Sequence, residues 1–443
     1  MASIIPFIST TSLVRIVLST VLLLPLTDCH ATVHDEGASS ASSSFSAEMP
    51  SSAYGFVNSI GLNTHLNYFD RTYGNFPLIE RELKSLGVLH LRDGVHLQGS
   101  DYNALLYGRW IALGKLGIRF DAVLDPRSNV GVLNASLLEK IDALAGHTIE
   151  SFEGPNELDV SNESDWPSVD RKYQSSLFDS DKALEAANSV RIIGPSLAFA
   201  SDSSSLGDVA NQMDFGNLHP YPAGKMPSVI FPEQVDLEKV VCDNKQIVFT
   251  ESGYHNAINE HNQQPGVSET AAAKYIPRLF LEDYAHGISR TYLYELLDET
   301  PDAGMTDPQM HWGLIRVDGS EKPAFLALKN LIAELSDSSE PSRLSPLSWA
   351  LKPYAKQVHH LLLEKSDGTY DLVLWQEVSS YDTQHHADIA NPDVNATLTF
   401  DLQARNIIAY EPATQTNPIN GWNNVKSVSL RIPDHPLVVE ITF

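Results

Sequence analysis

From Tyr54 to Leu335 the chain alternates short β-rich runs with longer helical patterns eight times, and few folds can absorb such a repeat. The β-rich runs are "GFVNSIGLN", "VLHLRDG", "RFDAVLD", "IESFEG", "VRIIGPS", "DFGNLHPY", "QIVFTESG" and "RTYLYEL". Between them lie segments such as "FPLIERELKSLG", whose Leu78, Ile79, Leu83 and Leu86 recur at helical spacing before Gly87. Alternation of this kind specifies a parallel sheet covered by helices, and eight units are the number that closes it into a barrel. The predicted class is α/β, a (β/α)8 TIM barrel over residues 54–337. An open doubly wound sheet is the structural alternative, but no Gly-x-Gly-x-x-Gly turn follows any of the eight runs.

After "LSDSSEPSRLSPLS" the pattern changes to closely spaced strands, with Ser366-Asp367-Gly368-Thr369 as a hairpin signal. Residues 338–443 are therefore predicted to form a small antiparallel β-sandwich. At the other end, Arg15 precedes an apolar run from Ile16 to Leu26, and small residues follow near Ala31. Residues 1–31 read as a signal peptide, whose run is too short to span a bilayer. This predicts a secreted or periplasmic protein with no transmembrane segment after signal removal. "LTDC", ending at Cys29, matches a lipoprotein cleavage site only loosely, because Asp28 stands where a small residue is wanted. Residues 32–53, around "ASSASSSFSA", read as a Ser/Ala-rich flexible linker.

Signal removal leaves Cys242 as the one cysteine, so a core rather than disulfides must hold the fold, and Cys242 reads as a buried apolar filler. Asn134, Asn162 and Asn395 sit in N-x-S/T sequons. Acids outnumber bases 56 to 30, a formal charge of −26, and there is no basic run. Nucleic acid is thus not an expected partner. The oligomeric state is not written in the sequence. His30 and His34 lie at the end of the signal, and the pairs His359-His360 and His385-His386 in the β-rich tail, so no metal and no cofactor are implied. Without a Gly-x-Ser-x-Gly elbow, serine hydrolase chemistry is also disfavoured.

Barrel enzymes build their sites from residues at the C-terminal strand ends. Glu157 hangs just past strand four in "IESFEGPNE", and Glu251 ends strand seven in "IVFTES". Carboxylates from those strands can face each other across the mouth, and glycoside hydrolysis needs such a pair. Arg92 ends strand two, His219 and Tyr221 end strand six, and His65, Asp125 and Glu295 end strands one, three and eight. Tyr68, Tyr294 and Trp312 are candidates for a platform under a pyranose ring.

Asn156-Glu157 after one strand and Glu251 at the end of a later one resemble the signature of clan A glycoside hydrolases, which are retaining enzymes. "HWGLIRVDGSEKPAFLALKNL" is similar to the segment that closes the barrel in families 5 and 39, and "GTYDLVLWQEVS" to the small sandwich of families 39 and 30. The resemblance implies Glu157 as general acid/base and Glu251 as nucleophile. It further implies that Arg92 pairs with the nucleophile and that His219 and Tyr221 lie beside it, with Asn156 on the sugar 2-hydroxyl. His65 and Glu295 complete the expected substrate-binding set. The implied activity is an exported retaining O-glycosidase, needing no cofactor, that cleaves β-glycosidic bonds in an oligo- or polysaccharide. Leu158 replaces the usual Pro after Asn-Glu, and strand eight ends in "YLYELLDE" without the Trp common in family 5, so the exact family and the sugar stay open. The alternative is a non-catalytic carbohydrate-binding protein on a degenerate barrel, although a lectin has no use for two opposed carboxylates.

Overall fold

The computed structural model describes residues 45–128, 130–185, 189–260 and 264–443. The signal peptide, Cys29 and the linker up to residue 44 lie outside the described residues. Eight parallel strands form the first sheet: β1 (Ile60–Asn63), β2 (His90–Gly94), β3 (Arg119–Val123), β4 (Ile149–Glu153), β5 (Arg191–Ile193), β6 (Gly216–Leu218), β7 (Ile247–Ser252) and β8 (Arg290–Leu293). They pair in the order β5-β4-β3-β2-β1-β8-β7-β6, and a bridge from Ile193 to Phe215 joins the two ends. The predicted (β/α)8 barrel is the observed fold.

Each helix follows from local chemistry. Helix α1 (Phe76–Leu86) starts where Asn75 Oδ1 accepts from Leu78 N and stops at Gly87, whose φ of +83° suits glycine. Its Leu78, Ile79, Leu83 and Leu86 are buried against the sheet. Burying each contributes on the order of 2 kcal/mol. Helices α2 (Ser100–Gly114), α3 (Ala135–Leu144), α4 (Trp166–Lys182), α5 (Ser203–Leu206), α6 (Glu233–Cys242), α7 (Glu269–Ala285) and α8 (Pro323–Leu335) complete the ring. Asn134, the first sequon, caps α3 by accepting from Leu137 N. Cys242 is fully buried, and that burial pushes its thiol up to about 12, as expected of an inert filler.

The first β-rich run is only partly a strand. Ser52 Oγ accepts from Gly55 N at 2.9 Å and opens a short helix, Ala53–Asn58, which Ser59 closes by donating its hydroxyl to Phe56 O at 2.6 Å. The strand begins only at Ile60.

The C-terminal part is an antiparallel sheet of β9 (Leu347–Lys352), β10 (Val358–Glu364), β11 (Tyr370–Gln376), β12 (Val394–Tyr410), β13 (Asn420–Ile432) and β14 (Leu437–Thr442). Strand β12 pairs with β9 through Thr397–Phe400 and with β14 through Asn406–Tyr410, and its pairing with β13 shifts register between Thr399 and Ala404. One strand thus serves two halves of the sheet, and Leu351, Leu362, Leu372, Leu398, Ile407 and Val439 meet in a second core. The residues expected to end the linker are not loose. Ser46–Glu48 pairs antiparallel with β9, and Ser51–Ser52 pairs parallel with β10. The Glu48 carboxylate fixes them by accepting from Trp349 Nε1 at 2.9 Å.

The two parts share a polar seam on α7. Buried Arg278 donates twice to Glu377 Oε2, at 2.9 and 2.6 Å, and Glu282 Oε1 accepts from Trp375 Nε1 at 2.9 Å. No helix among the described residues is long and apolar enough to cross a membrane.

Candidate active site

Strand register sets the site up from inside the barrel. Asn63, Arg92 and Asp121 are aligned on β1, β2 and β3, so their side chains share one layer. Arg92 is 5% exposed and spends every guanidinium nitrogen on this layer and the mouth above it. Its Nε and Nη2 donate to Glu153 at 2.6 and 2.7 Å, and its Nη1 donates to Asn63 Oδ1 at 2.9 Å and Glu251 Oε1 at 2.6 Å. Nη2 also reaches Asn156 Oδ1 at 2.6 Å. An arginine fork fixes several acceptors in one plane, which a lysine could not do.

Glu251, near the end of β7, takes a second donor: Tyr221 Oη–H lies 2.7 Å from its Oε2. Burial alone would raise the Glu251 pKa. The charges of His219 and Arg92 and the two hydrogen bonds outweigh it and hold the carboxyl below its usual range. Glu251 is therefore an ionised carboxylate, only 12% exposed at its side chain.

Glu157 follows β4 in a left-handed conformation, with φ +47° and ψ +53°. Such backbone costs a residue with a Cβ about 1–3 kcal/mol and persists where surrounding bonds demand it. Here Glu157 N–H donates to Ser196 O at 3.0 Å. Its Oε1 lies 2.7 Å from His219 Nδ1. Asn217 Nδ2 donates to Gly194 O, so Asn217 Oδ1 accepts the Thr250 hydroxyl proton at 2.8 Å. Thr250 then accepts from His219 Nε2–H at 2.9 Å. This network assigns the tautomer and leaves Nδ1 facing Glu157, so the contact between them must carry a proton. Burial depresses the His219 pKa, but the Glu251 charge and the bond to Glu157 raise it overall. One oxygen each of Glu157 and Glu251 and a His219 nitrogen all lie within 4.8 Å of one another.

On the far side of Glu251, His65 stacks on Tyr68 with centroids 4.6 Å apart, and its Nε2 lies 3.0 Å from Tyr294 Oη. Burial, followed by the opposing effects of the Glu251 and Arg92 charges, brings the His65 pKa down to about 4, so the ring is neutral at pH 7. Glu295 is fully buried. Its Oε2 accepts from Tyr73 Oη at 2.8 Å, and its Oε1 has no hydrogen-bond partner among the described residues. Burial drives its pKa well above the usual range.

All eight residues expected at the site, Arg92, Asn156, Glu157, His219, Tyr221, Glu251, His65 and Glu295, thus converge on one end of the barrel. Asp125 has a structural job: it binds Arg127 through both oxygens and accepts from Asn156 N at 3.0 Å, setting the loop. Trp312 is 5% exposed and packs 5.0 Å from the Tyr221 ring, so it braces that tyrosine rather than offering a face. Glu153, Thr250 and Asn63 were not singled out by sequence. Strand alternation is the signal that could have found Glu153, two residues after inward-facing Ser151. A separate cavity bordered by Glu150, Asp181 and Arg191 lies at the opposite end of β4 and β5, the face that serves barrel stability.

Fold and site together define a (β/α)8 barrel with a C-terminal antiparallel sheet and a pair of carboxylates at the ends of β4 and β7. That is the fold of family 39 glycoside hydrolases. A family 39 glycoside hydrolase from the gut symbiont Bacteroides cellulosilyticus is similar with a TM-score of 0.61 at 12% identity, covering 88% of this chain and 82% of that one. A monomeric β-xylosidase from Caulobacter crescentus is similar with a TM-score of 0.57 at 13% identity, covering 89% and 97%. The family 39 enzyme from Xanthomonas axonopodis pv. citri gives a TM-score of 0.54 at 14% identity over 89% and 95%. No family model and no curated sequence matches the chain.

Proposed function

We propose that the protein is a retaining glycoside hydrolase that cleaves β-glycosidic bonds by double displacement. The observation that carries this reading is the carboxylate pair: two glutamates with oxygens within 4.8 Å, one held ionised by Arg92 and Tyr221. Retaining enzymes space their carboxyl groups by about 5–5.5 Å, whereas inverting ones leave roughly 6.5–9.5 Å for a water. In the first step Glu251 attacks the anomeric carbon while Glu157 gives its proton to the departing oxygen. A glycosyl ester on Glu251 and a free alcohol result. In the second step Glu157 takes a proton from water, the water oxygen attacks the same carbon, and Glu251 leaves as carboxylate. His219 Nδ1 lies 2.7 Å from Glu157 Oε1 and so fixes the orientation of that carboxyl group beside the departing oxygen. Asn156 Oδ1 accepts from Arg92 Nη2, which leaves the Asn156 amide N–H as the donor for a sugar hydroxyl.

The barrel neighbours include a β-xylosidase, which favours a β-glycoside as the substrate. Export rests on residues 1–31 and is tested by sequencing the N-terminus of the protein recovered from culture medium or periplasm. The catalytic reading is tested with Glu251→Ala. It should fold, lose hydrolysis of aryl glycosides by several orders of magnitude, and recover with azide, releasing a glycosyl azide of inverted anomeric configuration. Undiminished hydrolysis would overturn the assignment.

A further inference from the structure

We propose that the groove leading from His219 and Tyr221 past Phe199 is the leaving-group site, and that it takes an aromatic aglycone. The inference rests on Glu157 being the acid. The groove has a volume of about 720 Å³, and its larger members besides His219 and Tyr221 are Phe199, Val229 and Leu237 together with the polar Glu233, Gln234 and Gln264. It borders the catalytic pair, because two residues that line it bond to that pair: His219 to Glu157 and Tyr221 to Glu251.

Its chemistry differs from that of the opposite side. There, His65 and Tyr294 hold fixed polar atoms 3.0 Å apart, which suits a ring studded with hydroxyls. Here, Phe199 is 59% exposed and Val229 40% exposed, two large apolar side chains left in water along one groove. Apolar walls with a few polar groups such as Gln234 fit a flat aromatic ring that bears a polar substituent.

The direction of departure follows from the chain itself. The glycosidic oxygen must touch Glu157, and the leaving group lies beyond that oxygen. Asp159, two residues after Glu157, accepts from the N–H groups of Ala198 and Phe199 at 3.1 and 3.0 Å. The acid and the exposed aromatic are therefore stitched into one rigid unit. The facing wall is preset as well: Val229 sits in the turn Pro227–Ile230, whose Ser228 N–H donates to Glu377 Oε1 at 2.9 Å. Glu377 belongs to the C-terminal part, so that part shapes the groove without touching the reacting atoms. A groove organised before binding loses little affinity to ordering.

The test uses free 4-methylumbelliferone, a stand-alone aromatic aglycone, and needs no turnover. It should bind the intact protein, quench on binding, and weaken about tenfold in Phe199→Ala while Phe199→Tyr retains it. In parallel, Phe199→Ala should raise KM for 4-methylumbelliferyl glycosides about tenfold and lower kcat/KM on a disaccharide with the same glycone by a clearly smaller factor, because a sugar ring loses less than a flat aromatic ring when the phenyl face is removed. Comparing each variant with its parent cancels the better leaving ability of the aryl group. Absence of 4-methylumbelliferone binding, binding indifferent to Phe199, or an equal loss on the disaccharide would overturn the proposal. Retained binding with no hydrolysis of any glycoside would instead overturn the catalytic reading, and the leaving-group role with it.

Discussion

Replacing Tyr221 with phenylalanine deletes one oxygen and keeps the ring that packs against Trp312, so its effect isolates the hydrogen bond to Glu251. At 2.7 Å, between a hydroxyl and an ionised carboxylate, the bond falls in the charge-assisted class worth about 1.5–3 kcal/mol. That energy favours the ionised form of Glu251 over the neutral form, so its loss raises the Glu251 pKa. Arg92 remains bonded at 2.6 Å, which keeps the carboxylate charged near neutrality. The sign is therefore definite: the acid limb of kcat/KM moves to higher pH. On that limb, where activity depends on the ionised fraction, kcat/KM should fall by about 10- to 150-fold. The alkaline plateau should fall far less. The assay is kcat/KM for an aryl glycoside across the pH range, beside a denaturant titration showing that the fold is unchanged. An acid limb that coincides with the parent's, or moves to lower pH, would refute the view that Tyr221 sustains the charge on the nucleophile.

Two further predictions concern stability. Asp170 on α4 is buried with no hydrogen-bond partner for either oxygen among the described residues, and burial, then the charges of Asp159 and Asp125, push its pKa up to about 8. The folded protein keeps a proton there that the unfolded chain releases above about pH 4, so stability declines as pH rises from about 4 to about 8. Asp170→Asn should remove this decline and gain up to about 4 kcal/mol at pH 7, shrinking toward pH 4; equal unfolding midpoints of variant and parent at pH 5 and pH 7 would count against it. Glu377→Ala leaves Arg278 buried without its carboxylate and should cost about 3–5 kcal/mol, while Glu377→Leu combined with Arg278→Met should recover most of that. A loss below about 1 kcal/mol for the single variant, read from urea midpoints, would show that the seam is not tightly desolvated.

The barrel was legible because strands covered on both faces are near-continuous apolar runs, and because helices such as α1 carry cap, stripe and glycine stop in order. Glu157 and Glu251 were legible for a related reason: a polar residue that ends such a run stands at the mouth. Glu153 and Thr250 were hidden by the same logic, since inside a run an inward polar residue looks like a break in the pattern. Arg92, which must be balanced by a buried carboxylate, explains Glu153, and the need to hold His219 Nε2 explains Thr250. The length of strand β12 is not legible in sequence because its polar stretch "DLQAR" mimics a turn, whereas the chain continues through with a register shift and leaves Leu402 exposed. Ser46–Ser52 read as spacer because small polar residues carry little β-propensity; its pairing is decided by partners far away in the sequence. Phe199 gave no signal at all, since nothing in its neighbourhood repeats.

That distant pairing has a consequence for how the molecule is made. Ser46–Glu48 and Ser51–Ser52 are made before the barrel, yet the strands that receive them arrive roughly 300 residues later, after the whole barrel. This segment is without its partner strands until the eight units have been made, and it then fastens the stretch before the barrel to the sheet that follows it. Cutting after α8 would therefore remove more than an appendage: it would strip the first residues of their neighbours and leave Arg278 and Glu282 facing solvent from the barrel's flank.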